Sequence, residues 1–411
     1  MDAKLKKKQI EGYEKNIEDH IFKKLYCAKT HMIYDRVHGE GKTANIDFLP
    51  TPEEIKLQLP NPCSWGSGME DSVLNGGSVM EGLLAKYDVT KDEKTVNYIK
   101  DIFKGLVTCA TVSKQRGFLA RSVSPVDKKS HFINSSRDQY THWIYAAYLY
   151  YNHELCTAEE KAMIEKILDD FAFKAEQDIT EENDYNLLRE DGKIGMVQKM
   201  INVEPHEEAR LLMFYAAAYY VTKNAHWLDK YHEYRERLLS ASEKIDCSKY
   251  ERVFPLLQMQ YSLKVVYDIE TDKEYKARYY ALMKRIANGA MRFVQKFKNY
   301  VLQFIVQPGK DWRACESIHT AYMWNLQTLV GGYPYYVPLQ EKDFEVASTV
   351  PIDAAEAFIL GVVEDFDIDY SKEIQTMYKL MKTVGSGRCY NYSPVLVYSA
   401  YWLLRKKGII N

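Results

Sequence analysis

Three segments of this chain are apolar on every side rather than along one stripe. They are "YTHWIYAAYLYY" (residues 140–151), "LLMFYAAAYY" (211–220) and "YSPVLVYSAYWLL" (392–404). A helix without a polar face has to be surrounded by protein along its whole length. These segments therefore predict a fold whose core is built from fully buried helices.

Amphipathic helices, each with one solvent-facing side, alternate with the buried segments. In the clearest of them, apolar residues recur at spacings of three and four between Met163 and Phe171. Three helices are predicted to begin at a capping box, in which a threonine is followed three residues later by a glutamate. The three pairs are Thr90 with Glu93, Thr157 with Glu160, and Thr271 with Glu274.

The connections also alternate in length. Short links follow the buried helices, whereas long links rich in Gly, Pro, Ser and aromatic residues precede them, at residues 38–68, 113–135, 177–205 and 295–312. Long ordered loops are usually functional, and these all enter buried helices at their N-terminal ends. The pattern predicts an all-α fold, an α/α toroid of six hairpins or (α/α)6 barrel, with the long loops on the active-site face.

We expect a single domain over residues 1–411, in which residues 1–40 supply an N-terminal helix of the outer layer. A short two-stranded piece is predicted at "YVLQFIV", residues 300–306.

The charge balance excludes a protein that binds nucleic acid or a membrane surface through a large basic excess. Lys and Arg number 55 and Asp and Glu 57, which gives a net charge of -2. No stretch of about 18 uncharged apolar residues is present, so no transmembrane helix is expected. The seven scattered cysteines favour free thiols. We expect a cytoplasmic protein as the sequence stands, or a periplasmic one if a signal peptide had been removed; the oligomeric state stays open.

Functional residues are expected in the long loops and in the first turns of the buried helices, where five segments combine acidic, basic and aromatic side chains. The acidic candidates for catalysis are Asp138, Asp71 and Glu70. The candidates for substrate binding are Trp65, Arg121, Arg137, His142, Trp143, His206, Glu207, Trp312, Arg313, His319, Arg388 and Tyr390.

Two acids on different buried helices that face one aromatic-walled cleft meet the needs of glycoside hydrolysis. One carboxylic acid protonates the leaving oxygen, and a carboxylate activates water or attacks carbon. Acidic residues at a helix start also stabilise the helix without any catalytic role. For Asp138 this simpler explanation is weaker, because Ser135 and Ser136 already supply capping oxygens. No HxxxH or HxH spacing indicates a metal site, and we expect neither a metal nor a cofactor.

The arrangement resembles the six-hairpin glycosidases, in particular the unsaturated glucuronyl and rhamnogalacturonyl hydrolases, from roughly residue 40 onward. The motifs that carry the resemblance are "GSGMEDSVLNGG" and "SSRDQYTHW", each an acid that enters a buried helix. The resemblance implies that Asp138 is the general acid and base, assisted by Asp71 or Glu70. Gln139 stands where the family has asparagine, which puts vinyl-ether hydration in doubt and leaves ordinary glycosidic cleavage open.

The sequence therefore predicts a glycoside hydrolase that acts on oligosaccharides, with the cleft arginines favouring anionic ones. A polysaccharide lyase on the same toroid is the first alternative, because lyases use Arg, His and Tyr. A sugar epimerase that uses His206 and His319, and a carbohydrate-binding protein without activity, are the others.

Overall fold

Helices make up most of the protein. The computed structural model describes residues 3–39, 43–300, 312–314, 342–386 and 391–410. Within these residues there are thirteen α-helices: α1 (Ala3–His20), α2 (Pro52–Lys56), α3 (Ser72–Thr90), α4 (Glu93–Thr111), α5 (Arg137–Tyr151), α6 (Ala158–Asp178), α7 (Pro205–Thr222), α8 (Ala225–Ser242), α9 (Phe254–Ile269), α10 (Lys273–Lys298), α11 (Lys342–Val362), α12 (Ile374–Val384) and α13 (Ser393–Lys406). The all-α fold class predicted from the sequence is confirmed.

Strands are short and occur in two antiparallel pairs within the described residues. Strand β1 (Tyr26–Cys27) pairs with β2 (Met32–Ile33), and β3 (Asn186–Leu188) pairs with β4 (Ile194–Lys199). The second pair lies in the long connection between α6 and α7, where the sequence predicted only a loop. Beyond Tyr300, the two-stranded piece predicted at residues 300–306 lies outside the described residues.

The helices that were predicted to be apolar all round are buried on all sides. Helices α5, α7 and α13 contain the three predicted segments, and almost every side chain along them is buried. Helices α3 and α9 are of the same kind. By contrast, α4, α8 and α10 bury one face only, as amphipathic helices do.

The buried helices contact one another in a fixed order. Helix α3 packs against α5, α5 against α7, α7 against α9, α9 against α11, α11 against α13, and α13 against α3. The other long helices pack against members of this series: α4 against α3, α6 against α5 and α7, α8 against α7, α10 against α9 and α11, and α12 against α11 and α13. Helix α1 packs against α12 and α13.

One of the three predicted capping boxes forms. Thr157 and Glu160 cap each other at the start of α6. The other two predictions are wrong, because α4 and α10 are capped by Asp92 and Asp272 instead. An aspartate accepts from the backbone N–H groups of the first turn without needing a glutamate three residues later.

A glycine sets the distance between the first two buried helices. A Cβ atom on Gly77 of α3 would lie 2.7 Å from the backbone oxygen of His142 in α5. Only a residue without a side chain allows the two backbones to approach this closely. The first turns of α3 and α5 are thereby brought side by side.

Candidate active site

A cavity of about 190 Å³ lies where several buried helices begin. Its walls come from the starts of α3, α5, α9 and α13 and from the middle of α11. The residues that line it are Asp71, Leu74, Asp138, His142, Arg252, Phe254, Leu257, Gln258, Glu356 and Tyr392. The cavity therefore collects three carboxyl groups, one guanidinium and one imidazole in a small space.

Asp71 is the N-terminal capping residue of α3, and its side chain is 25% exposed. The side-chain amide of Gln139 donates a hydrogen bond of 2.6 Å to Asp71 Oδ1, and Arg121 lies 3.6 Å from the same oxygen. Burial, followed by the negative charges of Glu70 and Asp138, raises the pKa of Asp71 to about 7 against the opposing effect of Arg121. This carboxyl group is therefore largely protonated at mildly acidic pH.

Asp138 lies in the first turn of α5, and its side chain is 22% exposed. Arg210 of α7 donates to Asp138 Oδ1. Burial by itself would raise the pKa of Asp138, but the charges of Arg210 and Arg137 outweigh it and hold the pKa below the usual value. Asp138 is therefore ionised wherever the protein is folded near neutral pH.

The two aspartates thus differ in protonation state while they line one cavity. A pair of carboxyl groups with pKa values driven apart is the arrangement by which proteins separate a general acid from a carboxylate base or nucleophile. The electrostatics favours Asp71 as the acid and Asp138 as the carboxylate. This is the reverse of the roles that the family resemblance implied.

Glu70 is turned away from the cavity. Its Oε2 accepts a hydrogen bond of 2.7 Å from the backbone N–H of Gly66, in the loop that precedes α3. Glu70 is not among the described residues that line the cavity. Of the two acids between which the sequence left the choice open, Asp71 is therefore the one that faces Asp138.

Asp35 accepts hydrogen bonds from the start of α3, and it was not identified from the sequence. It accepts hydrogen bonds from the backbone N–H of Glu70 (2.6 Å), the backbone N–H of Asp71 (3.0 Å) and the side-chain amide of Asn75 (3.1 Å). Burial and the charges of Asp71 and Glu70 raise the pKa of Asp35 well above its usual value. A residue in an unremarkable loop, "IYDRV", gives no local signal of this role.

His142 lines the cavity one helical turn after Asp138. Its Nδ1 donates to the backbone oxygen of Asp138 at 3.0 Å, which leaves the lone pair of the neutral ring on Nε2. Burial lowers the pKa of His142 to about 4. At neutral pH this side chain is an uncharged hydrogen-bonding group.

The expectation for Trp143 is wrong. The indole is 1% exposed, its Nε1 donates to the backbone oxygen of Leu106 at 2.9 Å, and its ring packs edge-on against Phe171. Trp143 follows His142 by one residue, which rotates it by about 100° to the side of α5 that faces the outer helices. It belongs to the core rather than to a sugar-binding surface.

The other two predicted tryptophans do not line the cavity within the described residues. Trp65 is partly buried in the loop before α3, where its backbone N–H and oxygen are both bonded to the Asn61 side chain. Trp312 is buried, and the guanidinium of Arg313 lies 4.8 Å from its ring centre.

The predicted cleft arginines that the structure describes bind other parts of the protein. Arg121 donates to the backbone oxygens of Glu70 and Ser135. Arg137 donates to the backbone oxygen of Lys199 and pairs with Glu207. Arg313 pairs with Glu54 and donates to the backbone oxygens of Phe48 and Leu49. These contacts fix the loops around the cavity. The predictions for His319, Arg388 and Tyr390 fall outside the described residues.

His206 and Glu207 lie at the start of α7, behind Asp138. His206 is bonded to the hydroxyl of Tyr250 at 3.0 Å, and Glu207 carries the ion pair with Arg137. Burial, followed by the charges of Arg210 and Arg137, lowers the pKa of His206 to about 3. Neither residue lines the cavity; both belong to the network that positions the arginines around Asp138.

Arg252 and Glu356 are cavity residues that sequence reasoning missed. Arg252 precedes the Pro255-containing start of α9, a recognisable helix entrance, and its Nε donates to Asp353 at 2.9 Å. Glu356 lies in the apolar run "AAEAFIL" of α11, and its buried Oε2 has no hydrogen-bond partner among the described residues. Burial and the charge of Asp353 raise the pKa of Glu356 well above its usual value. Two acids, Asp353 and Glu356, within an otherwise apolar part of α11 were the available signal.

Within the described residues, no group of three or more His, Cys, Asp or Glu side chains has the geometry to hold a metal ion. The five cysteines that the structure describes are free thiols. None of the described helices combines the length and the apolar character needed to span a membrane.

No protein-family model matches this chain, and no curated protein sequence matches it at a significant level.

Proposed function

We propose that this protein is a glycoside hydrolase in which Asp71 is the general acid and Asp138 is the carboxylate base or nucleophile. The observation that carries the proposal is the pair itself: two aspartates from neighbouring helices line one cavity, with pKa values displaced in opposite directions. Cleavage of a glycosidic bond needs a proton for the leaving oxygen and a carboxylate that attacks the anomeric carbon or activates water, and a buried pair of this kind can supply both.

The proposed architecture is the six-hairpin α/α toroid. Support comes from the order of contacts, in which α3, α5, α7, α9, α11 and α13 each pack against the next and α13 returns to α3, with one further contact between α5 and α9. The proposed catalytic cavity then lies at the N-terminal mouth of the ring, on the side of the long loops. Such a concave site, with a few polar groups that converge in it, is typical of small-molecule binding.

In the proposed reaction, the proton of Asp71 passes to the glycosidic oxygen as the bond from that oxygen to the anomeric carbon breaks. Asp138 either attacks the anomeric carbon directly or removes a proton from the water that does so. Gln139 keeps Asp71 aimed at the cavity through its 2.6 Å hydrogen bond. Arg210 holds Asp138 in the ionised form in which it enters the reaction.

The experiment begins with purified protein and a panel of neutral, uronate-containing and unsaturated oligosaccharides. New reducing ends without a change in ultraviolet absorbance indicate ordinary hydrolysis. Loss of absorbance indicates hydrolysis of an unsaturated sugar, as the family resemblance implies. A gain of absorbance indicates a lyase and contradicts the proposal.

Two substitutions then test the residues. We expect Asp71→Asn and Asp138→Asn each to lower kcat by roughly 10²–10⁴-fold, the usual contribution of a positioned acid or base. The matched control is Asp229→Asn, which removes a carboxyl group at an exposed position of α8, away from the cavity. Near-normal turnover by either asparagine variant, with folding confirmed by circular dichroism, would refute the assignment.

A further inference from the structure

A second and larger cavity adjoins the candidate active site. Its volume is about 640 Å³, and Arg252 lines both cavities. We call it the cationic groove and define it by Tyr250, Glu251, Arg252, Arg292, Phe293 and Lys296. Arg252 is therefore the side chain that the two cavities share.

The groove carries three cationic side chains and one carboxylate. Arg252 is partly neutralised by Asp353, at 2.9 Å. Arg292 donates to the backbone oxygen of Tyr250, which carries no net charge, and its guanidinium lies 4.7 Å from the ring centre of Phe293. Lys296 is exposed one turn further along α10. Among the ion pairs of the described residues, neither Arg292 nor Lys296 takes part.

The active-site cavity carries three carboxyl groups and one guanidinium. Asp71, Asp138 and Glu356 all line it, so an anionic group placed there would meet carboxyl groups and lose its hydration. In the groove, the same group would meet Arg292 and Lys296, which enter no ion pair among the described residues, although the carboxylates of Asp246 and Asp353 lie near enough to interact with them. The two neighbouring cavities therefore separate a site suited to an uncharged sugar ring from a site suited to an anion.

On the basis of the function proposed above, we propose that the cationic groove binds a carboxylate or sulfate group on the part of the substrate that extends from the active site past Arg252. Arg292 supplies a planar fork of donors, steadied by the Phe293 ring, and Lys296 supplies a mobile point charge. The bond that is split would then lie next to an uncharged ring, with the anionic unit on one side of it.

The test compares two double variants with the same loss of charge. Arg292→Gln with Lys296→Gln removes the two groove cations that enter no ion pair among the described residues. Lys249→Gln with Lys298→Gln removes two cations near it that do not line it. Binding of trigalacturonate, a sulfated cello-oligosaccharide and neutral cellotriose is measured by calorimetry at low and high salt. Asp138→Asn is the background for all of these measurements, so that turnover is strongly reduced.

We expect at least one anionic probe to bind more tightly than cellotriose, and the groove variant to weaken that binding by roughly tenfold or more, since each tenfold step corresponds to about 1.4 kcal/mol. The salt dependence should shrink in the groove variant and stay unchanged in the control. Preference for trigalacturonate or for the sulfated probe identifies the anion.

Equal weakening in both double variants, or binding of cellotriose as tight as that of both anions, overturns the proposal. The result is independent of catalysis. Groove-dependent binding without hydrolysis of any oligosaccharide by the unsubstituted protein would refute the proposed function alone. Hydrolysis of neutral and anionic substrates that is unaffected by the groove variant would refute the groove alone.

Discussion

Asp71 and Asp138 are both acids at the start of a buried helix, and both are mostly buried. Their partners differ: Arg210 donates a hydrogen bond to Asp138, whereas Asp71 is bonded to an uncharged amide and has Arg121 at 3.6 Å. An opposite charge within a few ångströms stabilises the ionised form, whereas burial beside other carboxyl groups destabilises it. Two residues of one type are thereby given separate chemical roles.

This difference predicts the pH dependence of activity. Asp71 has to be protonated, so kcat/KM should fall as the pH rises through about 7. Asp138 has to be ionised, and since its pKa is lowered, activity should persist on the acid side below the usual titration range of an aspartate. In Asp71→Asn the fall at high pH should disappear from the residual activity. An unchanged alkaline fall in that variant would assign the acid to another group.

At the scale of single elements, the site depends on how closely α3 and α5 approach. Gly77 touches the backbone of α5 at His142, the residue one turn after Asp138. The two acids belong to the first turns of these helices, so a change in helix separation changes the distance between their carboxyl groups. The sequence shows the two glycines of "LNGG", but it does not show that the backbone of His142 lies against Gly77 and requires a glycine there.

We expect Gly77→Ala to lower the free energy of unfolding by roughly 1–3 kcal/mol, because the new Cβ atom would clash with a backbone oxygen that cannot rotate away. Activity should fall with it. The matched control is Gly12→Ala in α1, where a Cβ atom meets nothing within 4 Å. That change should stabilise the protein by about 0.5–1 kcal/mol through helix propensity. Thermal unfolding of both variants measures the contrast, and a Gly77→Ala protein as stable as the original would contradict it.

At the scale of the whole molecule, a buried glutamate joins three of the central helices. Glu81 of α3 accepts hydrogen bonds from the hydroxyls of Tyr145 in α5 (3.1 Å) and Tyr261 in α9 (2.6 Å). The two tyrosine rings stack at 3.9 Å. Burial raises the pKa of Glu81 to about 7, although both hydroxyls oppose the shift.

The raised pKa of Glu81 predicts that the free energy of unfolding depends on pH. The contribution of the protonated carboxyl group is fully present below the unfolded pKa, near 4.5, and is lost as the pH rises through about 7. Relative to the original protein, Glu81→Gln should therefore gain up to about 1.4 kcal/mol of unfolding free energy for each pH unit across that window. Chemical denaturation at several pH values measures the difference. Glu159→Gln, at an exposed position of α6, controls for the loss of one acidic residue, and a Glu81→Gln difference that does not vary with pH would contradict the prediction.

The sequence by itself determined the helical class and which segments are buried. A helix without a polar face has no stable place except inside protein, and that rule needs no partner to be known. It also placed Asp71 and Asp138 at helix entrances. The capping predicted for Ser135 and Ser136 is wrong, because neither hydroxyl has a hydrogen-bond partner among the described residues. The capping boxes predicted at Thr90 and Thr271 did not form, because a nearby aspartate caps each helix instead.

Only the tertiary structure decided which side chains meet. Trp143 and His142 are adjacent in the chain, yet one faces the core and the other the cavity, because helical rotation is fixed only by the neighbours of α5. Asp35, Arg252 and Glu356 reach the site from distant segments, and the protonation of each acid depends on charges that folding brings near. Electrostatic interactions depend on the distance between two groups in space and not on their separation along the chain. The protonation states of these acids therefore cannot be predicted from the sequence alone.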